Sequence, residues 1–81
     1  MEGLVGKVLI VDDDENICEV IDMYLKSVGF NTKIALNGKE AKMLYMDYNP
    51  DLVLLDMMIP QVDGIDVLKW IRKQGERPVI M

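Results

Sequence analysis

The chain has 81 residues, of which 51% are hydrophobic and 28% are charged, and its formal net charge is −5 with no histidine. This composition predicts one small globular domain rather than a disordered segment. The acidic balance argues against nucleic-acid binding by this segment, because phosphate contacts need a basic surface, and the absence of histidine excludes the usual zinc sites and serine-type triads.

Cysteine content and hydropathy indicate the cellular compartment of the protein. Cys18 is the only cysteine, so an internal disulfide cannot form, which is typical of a reducing compartment. We expect this thiol to pack on a helix rather than to act in redox chemistry. No stretch approaches the roughly 18 apolar residues of a membrane span, and the N-terminus lacks the pattern of a signal peptide. The sequence therefore predicts a soluble, cytoplasmic protein with no membrane segment.

The pattern of apolar residues changes between the first predicted strand and the first predicted helix. Residues 8–11 form a continuous apolar run, which predicts that the first strand, residues 7–11, is buried on both faces. Asp14 can cap the following helix, and Gly29 can end it. The apolar residues of this helix are spaced three and four apart, which predicts one buried stripe made of Ile17, Val20, Ile21, Tyr24, Leu25 and Val28.

The middle of the chain continues the alternation of strand and helix. Residues 31–36 are only half apolar and predict an edge strand. A helix follows the turn signal at residues 37–38, and Pro50 stops it because the residue before a proline avoids the helical region. Its apolar face contains Ala41, Leu44, Tyr45 and Tyr48. Residues 52–55 are again a continuous apolar run and predict a second fully buried strand.

The last part of the chain predicts a third helix and a fourth strand. Asp63 can cap a helix that Gly75 ends, and residues 78–81 open the strand. The predicted buried stripe of this helix contains Ile65, Leu68 and Ile71, with Trp70 beside it. Strands that alternate with single helices predict right-handed βαβ units and a parallel α/β sheet in one domain, residues 1–81.

Both fully apolar strands end on carboxylates. Asp12, Asp13 and Asp14 follow the first, and Asp56 follows the third. Ligand sites of parallel sheets lie outside the carboxyl ends of the strands, so neighbouring strands would bring these groups together. Such a cluster repels itself unless a cation is present, and Mg²⁺ prefers oxygen ligands. We expect Asp14 to serve only as a cap, whereas Asp56 would serve as a carboxylate nucleophile for a phosphoryl group.

These motifs together resemble the receiver domain of two-component response regulators. The resemblance rests on residues 8–13, on Asp56-Met57-Met58-Ile59-Pro60, on Asp63-Gly64, and on residues 37–41 at the turn into the second helix. It implies a flavodoxin-like (CheY-like) α/β fold with strand order 2-1-3-4-5. It also implies a signalling domain, not an enzyme, that is phosphorylated by a sensor histidine kinase.

The same resemblance implies a role for each candidate site residue. Asp56 matches the phosphoacceptor, Asp13 the direct Mg²⁺ ligand, and Asp12 the acidic partner that acts largely through water. Met58 matches the residue whose backbone carbonyl binds the metal, and Pro60 matches the proline that shapes this loop. The implied metal set is therefore Asp12, Asp13, Asp56 and the carbonyl of Met58, with Mg²⁺ as cofactor.

The chain differs from the family pattern in its length. It covers roughly the first two thirds of a receiver, so we expect a partial receiver domain that stops after the start of strand four. The Ser/Thr of strand four, the lysine of strand five and the last two helices have no counterpart. Because the Ser/Thr and lysine bind phosphoryl oxygens, we expect an intact acidic site, impaired phosphorylation and no output face.

Two alternatives remain open. The first is a self-associating half-domain without activity, forming a homodimer or higher oligomer through an exposed sheet edge or exchanged elements. The second, more remote, is a phosphatase of the haloacid-dehalogenase type, because Asp12-Asp13-Asp14 also fits a strand followed by Asp-x-Asp.

Overall fold

The computed structural model describes residues 6–56, 64–75 and 78–80. Within these ranges strands and helices alternate strictly, and the strands form one parallel sheet in the order β2-β1-β3-β4. This arrangement confirms the predicted parallel α/β fold. The elements are β1 (Lys7–Val11), α1 (Glu15–Ser27), β2 (Asn31–Ala35), α2 (Gly38–Tyr48), β3 (Leu52–Leu55), α3 (Gly64–Gln74) and β4 (Val79–Ile80).

Strand β1 is an inner strand, and its position explains its composition. Val11 pairs with Ala35 of β2 on one side and with Leu55 of β3 on the other. Helices cover both faces of this strand, so its side chains from Val8 to Val11 are buried. A strand that is buried on both faces needs apolar residues at successive positions, which is the pattern seen in the sequence.

Two apolar cores lie on opposite faces of the sheet, because successive side chains of a strand point to opposite faces. The core under α2 and α3 contains Leu9, Val11, Ala35, Ala41, Tyr45, Val53, Leu55, Val67 and Ile71. The core under α1 contains Val8, Ile10 and Cys18, with Ile21, Leu25, Ile34, Leu36, Leu52 and Leu54 packed around them. Helix α1 alone covers this second face among the described helices, and it lies over β1 and β2.

The helix ends follow the capping residues in the sequence. The Asp14 side chain accepts hydrogen bonds from the first-turn N–H groups of Asn16 and Ile17, at 2.9 and 3.3 Å. Helix α1 ends at Ser27 and is followed by the left-handed Gly29, with a φ of 101°. Helix α2 ends at Tyr48, and its C-cap residue Asn49 also adopts the left-handed conformation, with a φ of 55°. The capping bonds and the left-handed residues set where each helix begins and ends next to the sheet.

The predicted buried stripes are partly wrong. In α1 the buried residue is Cys18, whereas Val20 and Tyr24 are 68% and 65% exposed, and Ile17 and Val28 are also exposed. In α3 the buried residues are Val67 and Ile71, and Ile65 is 47% exposed. The apolar arc of each helix is wider than the surface it packs against. The sequence spacing marks the arc, and the sheet decides which part of it is covered.

Two strand boundaries also differ from the predictions. Strand β2 ends at Ala35 rather than at residue 36, and β4 has only two described residues, Val79 and Ile80. The predicted cap at Asp63 and the last residue, Met81, lie outside the described residues. Within the described ranges, no helix combines the length and the apolar character needed to cross a membrane.

Candidate metal centre

Three carboxylates meet where β1 and β3 end. Asp12 and Asp13 follow β1, Asp56 follows β3, and one oxygen from each lies within 4.8 Å of the others. Asp12 and Asp56 are half-buried, whereas Asp13 is exposed. The sequence predicted that these residues would meet if the two strands were neighbours, and the structure brings all three together.

Backbone hydrogen bonds hold the end of β1 level with the ends of its two neighbours, β3 and β2. The N–H of Asp56 donates to the carbonyl of Val11 at 2.8 Å, and the N–H of Asp12 donates to the carbonyl of Ala35 at 3.1 Å. The Asp12 carboxylate also accepts the N–H of Asp14 at 3.0 Å, which tightens the turn from β1 into α1. The carboxylates are therefore placed by sheet register and by a local turn.

The electrostatics of this cluster favour a bound cation. The pKa of Asp12 is raised above its ordinary value, mainly by burial, and the charges of Asp56 and Asp13 raise this pKa further. The hydrogen bond from the N–H of Asp14 acts in the opposite direction and lowers it. A positive ion among the three groups would relieve the repulsion between them.

The donor set fits a hard ion such as Mg²⁺. Oxygens around an octahedral Mg²⁺ lie about 3–4 Å apart, given Mg–O distances of about 2.0–2.1 Å. The three carboxylate oxygens are therefore close to a spacing that one ion can bridge, and small side-chain movements would complete it. The other predicted loop residues, Met58 and Pro60, lie outside the described residues, so their predicted roles are not tested.

Asp14 belongs to the helix and not to the carboxylate cluster. Its side chain caps α1, as the sequence predicted. The phosphatase alternative needs Asp12 and Asp14 to act together on one substrate, and the capping bonds of Asp14 give it no support.

Cys18 lies directly under the acidic turn, which the sequence reasoning did not anticipate. Its thiol donates to the backbone carbonyl of Asp12 at 3.4 Å. Burial first, and then the neighbouring acidic groups, raise the pKa of this thiol to about 11. The thiol is therefore protonated at neutral pH and acts as a packing group. Its place one turn into the helix that follows the aspartates is the signal that could have revealed this contact.

An apolar groove of about 310 Å³ leads from the carboxylates across the sheet face beside α1. Its lining residues are Ile10, Val11, Asp12, Ile21, Leu54, Leu55, Asp56 and Ile80. Sequence patterns did not predict this groove, because it depends on which part of the sheet α1 leaves uncovered. It places apolar surface next to the proposed metal site.

Comparisons with known proteins agree with the geometry. The sequence model of the response regulator receiver domain family matches residues 8–81. The chain is 41% identical to the receiver domain of the Francisella response regulator 1452, with a TM-score of 0.85 over 91% of this chain and 62% of that chain. It is 35% identical to the response regulator TrrA from Thermotoga maritima in complex with Mg²⁺-BeF, with a TM-score of 0.88 over 95% of this chain and 68% of that chain.

A third similar structure is the BeF₃-activated N-terminal receiver domain of RstA from Klebsiella pneumoniae. It is 32% identical, with a TM-score of 0.86 over 90% of this chain and 62% of that chain. The chain thus spans a little under two thirds of the Francisella and Klebsiella chains that it matches. The matched range includes every described strand and helix except the first residue of β1. With its parallel sheet and its strand-end carboxylates, the chain belongs to the response regulator receiver domain family.

Proposed function

We propose that this domain is a phosphoacceptor in two-component signalling and that Asp56 is the accepting residue. The observation that supports this most directly is the convergence of Asp56 with Asp12 and Asp13, with their oxygens within 4.8 Å. Membership of the receiver family supports a signalling role in general. The assignment to Asp56 rests on its place at the end of β3 and on the acidic residues beside it.

In the proposed reaction, an Asp56 oxygen attacks the phosphorus of a phosphohistidine on a sensor histidine kinase. The new O–P bond forms as the N–P bond breaks, and the electron pair of that bond returns to the imidazole nitrogen. Asp12, Asp13, Asp56 and the carbonyl of Met58 would hold Mg²⁺, whose positive charge would offset the charge of the transferring group. The backbone hydrogen bond from Asp56 to Val11 would in addition fix the position of the acceptor relative to β1.

We make a separate prediction for the rate at which a polypeptide of these 81 residues accepts the phosphoryl group. The Ser/Thr and lysine that bind phosphoryl oxygens in the family have no counterpart in residues 8–81, the range that the family model matches. In enzymes, the loss of one preorganised donor of this kind lowers a rate by about 10²–10³-fold. We therefore expect this polypeptide to be phosphorylated more slowly than a complete receiver.

The experiment that tests the site uses a phosphorylated histidine kinase as donor, with Mg²⁺ present, and measures the intact mass of the chain. We expect one added phosphoryl group on the parent chain and none on Asp56→Asn. The matched control is Asp66→Asn, which changes an exposed carboxylate on α3. Phosphorylation that survives in Asp56→Asn, or that is lost equally in the control, would refute the assignment.

Self-association is a second candidate property, and the apolar surface beside α1 favours it. Val20, Met23 and Tyr24 of α1 are each more than 60% exposed, and Ile80 of β4 is 57% exposed next to the 310 Å³ groove. Apolar surface of this extent on a small domain is typical of an interaction site. We propose that two copies associate through this face. The molecular mass in solution, measured over a range of protein concentrations, tests this.

A further inference from the structure

The outer edge of β2 carries backbone groups that point away from the sheet. In the sheet that the described residues form, β2 is an outer strand. The N–H of Asn31 donates to Gly6, and the carbonyl of Ala35 accepts from Asp12, so both of these residues face β1. Backbone groups alternate in direction along a parallel strand. The N–H and carbonyl groups of Thr32 and Ile34 therefore face outward, where another strand can pair with them.

A groove opens on each side of this edge, and Ile34 lines both. The groove on the α1 side has a volume of about 160 Å³, and its lining residues are Glu15, Cys18, Glu19, Ile34 and Leu36. The groove on the α2 side has a volume of about 250 Å³, and its lining residues are Ile34, Glu40, Met43, Leu44 and Asp47. Each groove combines apolar side chains with two carboxylates.

The positions of the two grooves match the geometry of an added strand. Successive side chains of an extended chain point to opposite faces of a sheet. A strand paired with Thr32 and Ile34 would therefore place one side chain in the α1-side groove and the next in the α2-side groove. Met43 is 59% exposed in the second groove, and its flexible side chain can adapt to different apolar partners.

The charges around the grooves favour a basic partner. Glu15 and Glu19 border the α1-side groove, and Asp47 borders the α2-side groove. The basic residue within β2, Lys33, holds its amine 5.9 Å from the ring centre of Tyr48, at the last residue of α2. A second copy of this chain, with a net charge of −5, would bring like charges to the edge. Electrostatic complementarity therefore selects against self-pairing here.

We propose that the β2 edge binds an extended basic segment of a partner protein as an added strand. Two consecutive apolar side chains of that segment would enter the two grooves, and its basic side chains would lie beside Glu19 and Asp47. The proposal is independent of the phosphoacceptor assignment, because Asp12, Asp13 and Asp56 do not line either groove.

The test uses the full chain and a synthetic peptide, acetyl-Lys-Arg-Val-Leu-Arg-Lys-amide, followed by amide NMR. We expect saturable shifts at the β2 edge, with hydrogen exchange slowed at the amides of Thr32 and Ile34. The matched control peptide carries N-methyl groups on its valine and leucine, which block strand pairing and keep side chains and charge. Equal binding of this control peptide, or shifts centred on another surface, would overturn the proposal.

Charge-reversed variants give a second, independent measurement. We expect Glu19→Lys combined with Asp47→Lys to weaken binding of the first peptide on the order of ten-fold. Asp66→Lys, which makes one such charge reversal at an exposed position of α3, should leave the affinity unchanged. The N-methyl comparison uses the parent chain, so it decides the question even if the double variant folds poorly. Protection of Thr32 and Ile34 in a peptide-free dimer would identify a second copy as the occupant and refute the proposal.

Discussion

Asp12 shows how one residue can favour metal binding and oppose folding at once. Its half-buried carboxylate has a raised pKa, chiefly because of burial and then because Asp56 and Asp13 lie nearby. Without a cation, the native state holds three mutually repelling carboxylates together, whereas the unfolded chain separates Asp56 from the other two. The stability of the domain should therefore depend on Mg²⁺ and on the number of charges in the cluster.

We predict that Asp13→Asn raises the free energy of unfolding without metal and abolishes most of the gain from Mg²⁺. Removing one exposed like charge should stabilise the metal-free domain by roughly 0.2–1 kcal/mol. Mg²⁺ at 100 times its Kd should stabilise the parent chain by about 2.7 kcal/mol. Urea unfolding with and without Mg²⁺ measures both quantities, with Asp66→Asn as control. An undiminished Mg²⁺ effect in Asp13→Asn would contradict the proposed ligand set.

Asp22 is a residue with the opposite pKa behaviour. Its carboxylate accepts a hydrogen bond from the Thr32 hydroxyl and pairs with Lys26 at 3.1 Å, so α1 is tied to β2. The Thr32 hydrogen bond first, and then Lys26, lower the pKa of Asp22 below its ordinary value. A carboxyl group whose pKa is lower in the folded state stabilises the protein above its unfolded pKa. This contribution is lost as the pH falls through the folded pKa.

We predict that Asp22→Asn lowers the free energy of unfolding at pH 7 by about 1 kcal/mol. The difference in unfolding free energy between Asp22→Asn and the parent chain should shrink as the pH falls below about 4. Asp22 of the parent chain then takes up a proton and loses its charge. Urea unfolding at several pH values measures this difference. A difference that stays constant from pH 7 down to pH 3 would show that the charge of Asp22 is not the cause.

At the scale of elements, the ends of the helices are the parts that the sequence describes best. Asn37 accepts the N–H of Glu40 at 2.9 Å, and the Glu40 side chain accepts the N–H of Leu36 at 2.8 Å. This reciprocal pair joins the end of β2 to the start of α2. Caps of this kind involve residues within three or four positions of one another, so a short stretch of sequence contains both the donor and the acceptor.

We predict that Asn37→Ala destabilises the domain by about 0.5–2 kcal/mol, because the N–H of Glu40 loses its acceptor. Asn37→Asp should retain most of the stability, since its carboxylate can accept the same bond and suits a helix N-terminus. Thermal unfolding of the two variants beside the parent chain tests this. Equal losses in the alanine and aspartate variants would mean that the Asn37 cap contributes little.

The buried faces of the helices were harder to predict than their ends. The stripe predicted for α1 included Ile17, Val20 and Tyr24, which the structure leaves exposed, and it omitted Cys18, which is buried. Every one of these residues is compatible with an apolar contact. Their burial depends on the position of β1 and β2 beneath the helix, and these strands are remote from many of the helix residues in the chain.

At the scale of the whole molecule, the described helices cover one sheet face only in part. Helix α1 lies over β1 and β2, while Leu54 and Ile80 line a groove on the β3 and β4 side. Ile21 of α1 lines this groove, and the same helix carries the exposed apolar residues Val20, Met23 and Tyr24. The association proposed above would remove this combined surface from water, which is the main favourable contribution to protein association.

We predict that the chain associates at high concentration and that Val20→Lys with Tyr24→Lys makes it monomeric. Both residues are exposed on α1, so the substitutions should disturb the monomer little. The control is Met43→Lys with Met46→Lys, which changes two exposed methionines of α2. Analytical ultracentrifugation measures the masses. A parent chain that stays monomeric, or a control that dissociates equally, would contradict association through α1.

The sequence by itself determined the parallel α/β fold, the cap of α1 at Asp14, and the two strands that end on Asp12 and Asp56. These features follow from the spacing of apolar residues and from hydrogen bonds between residues that are close together in the chain. Only the tertiary structure decided the 4.8 Å convergence of the three carboxylates, the buried side of α1, and the two grooves at the β2 edge. Those features arise from contacts between residues far apart in the chain, so no local pattern can specify them.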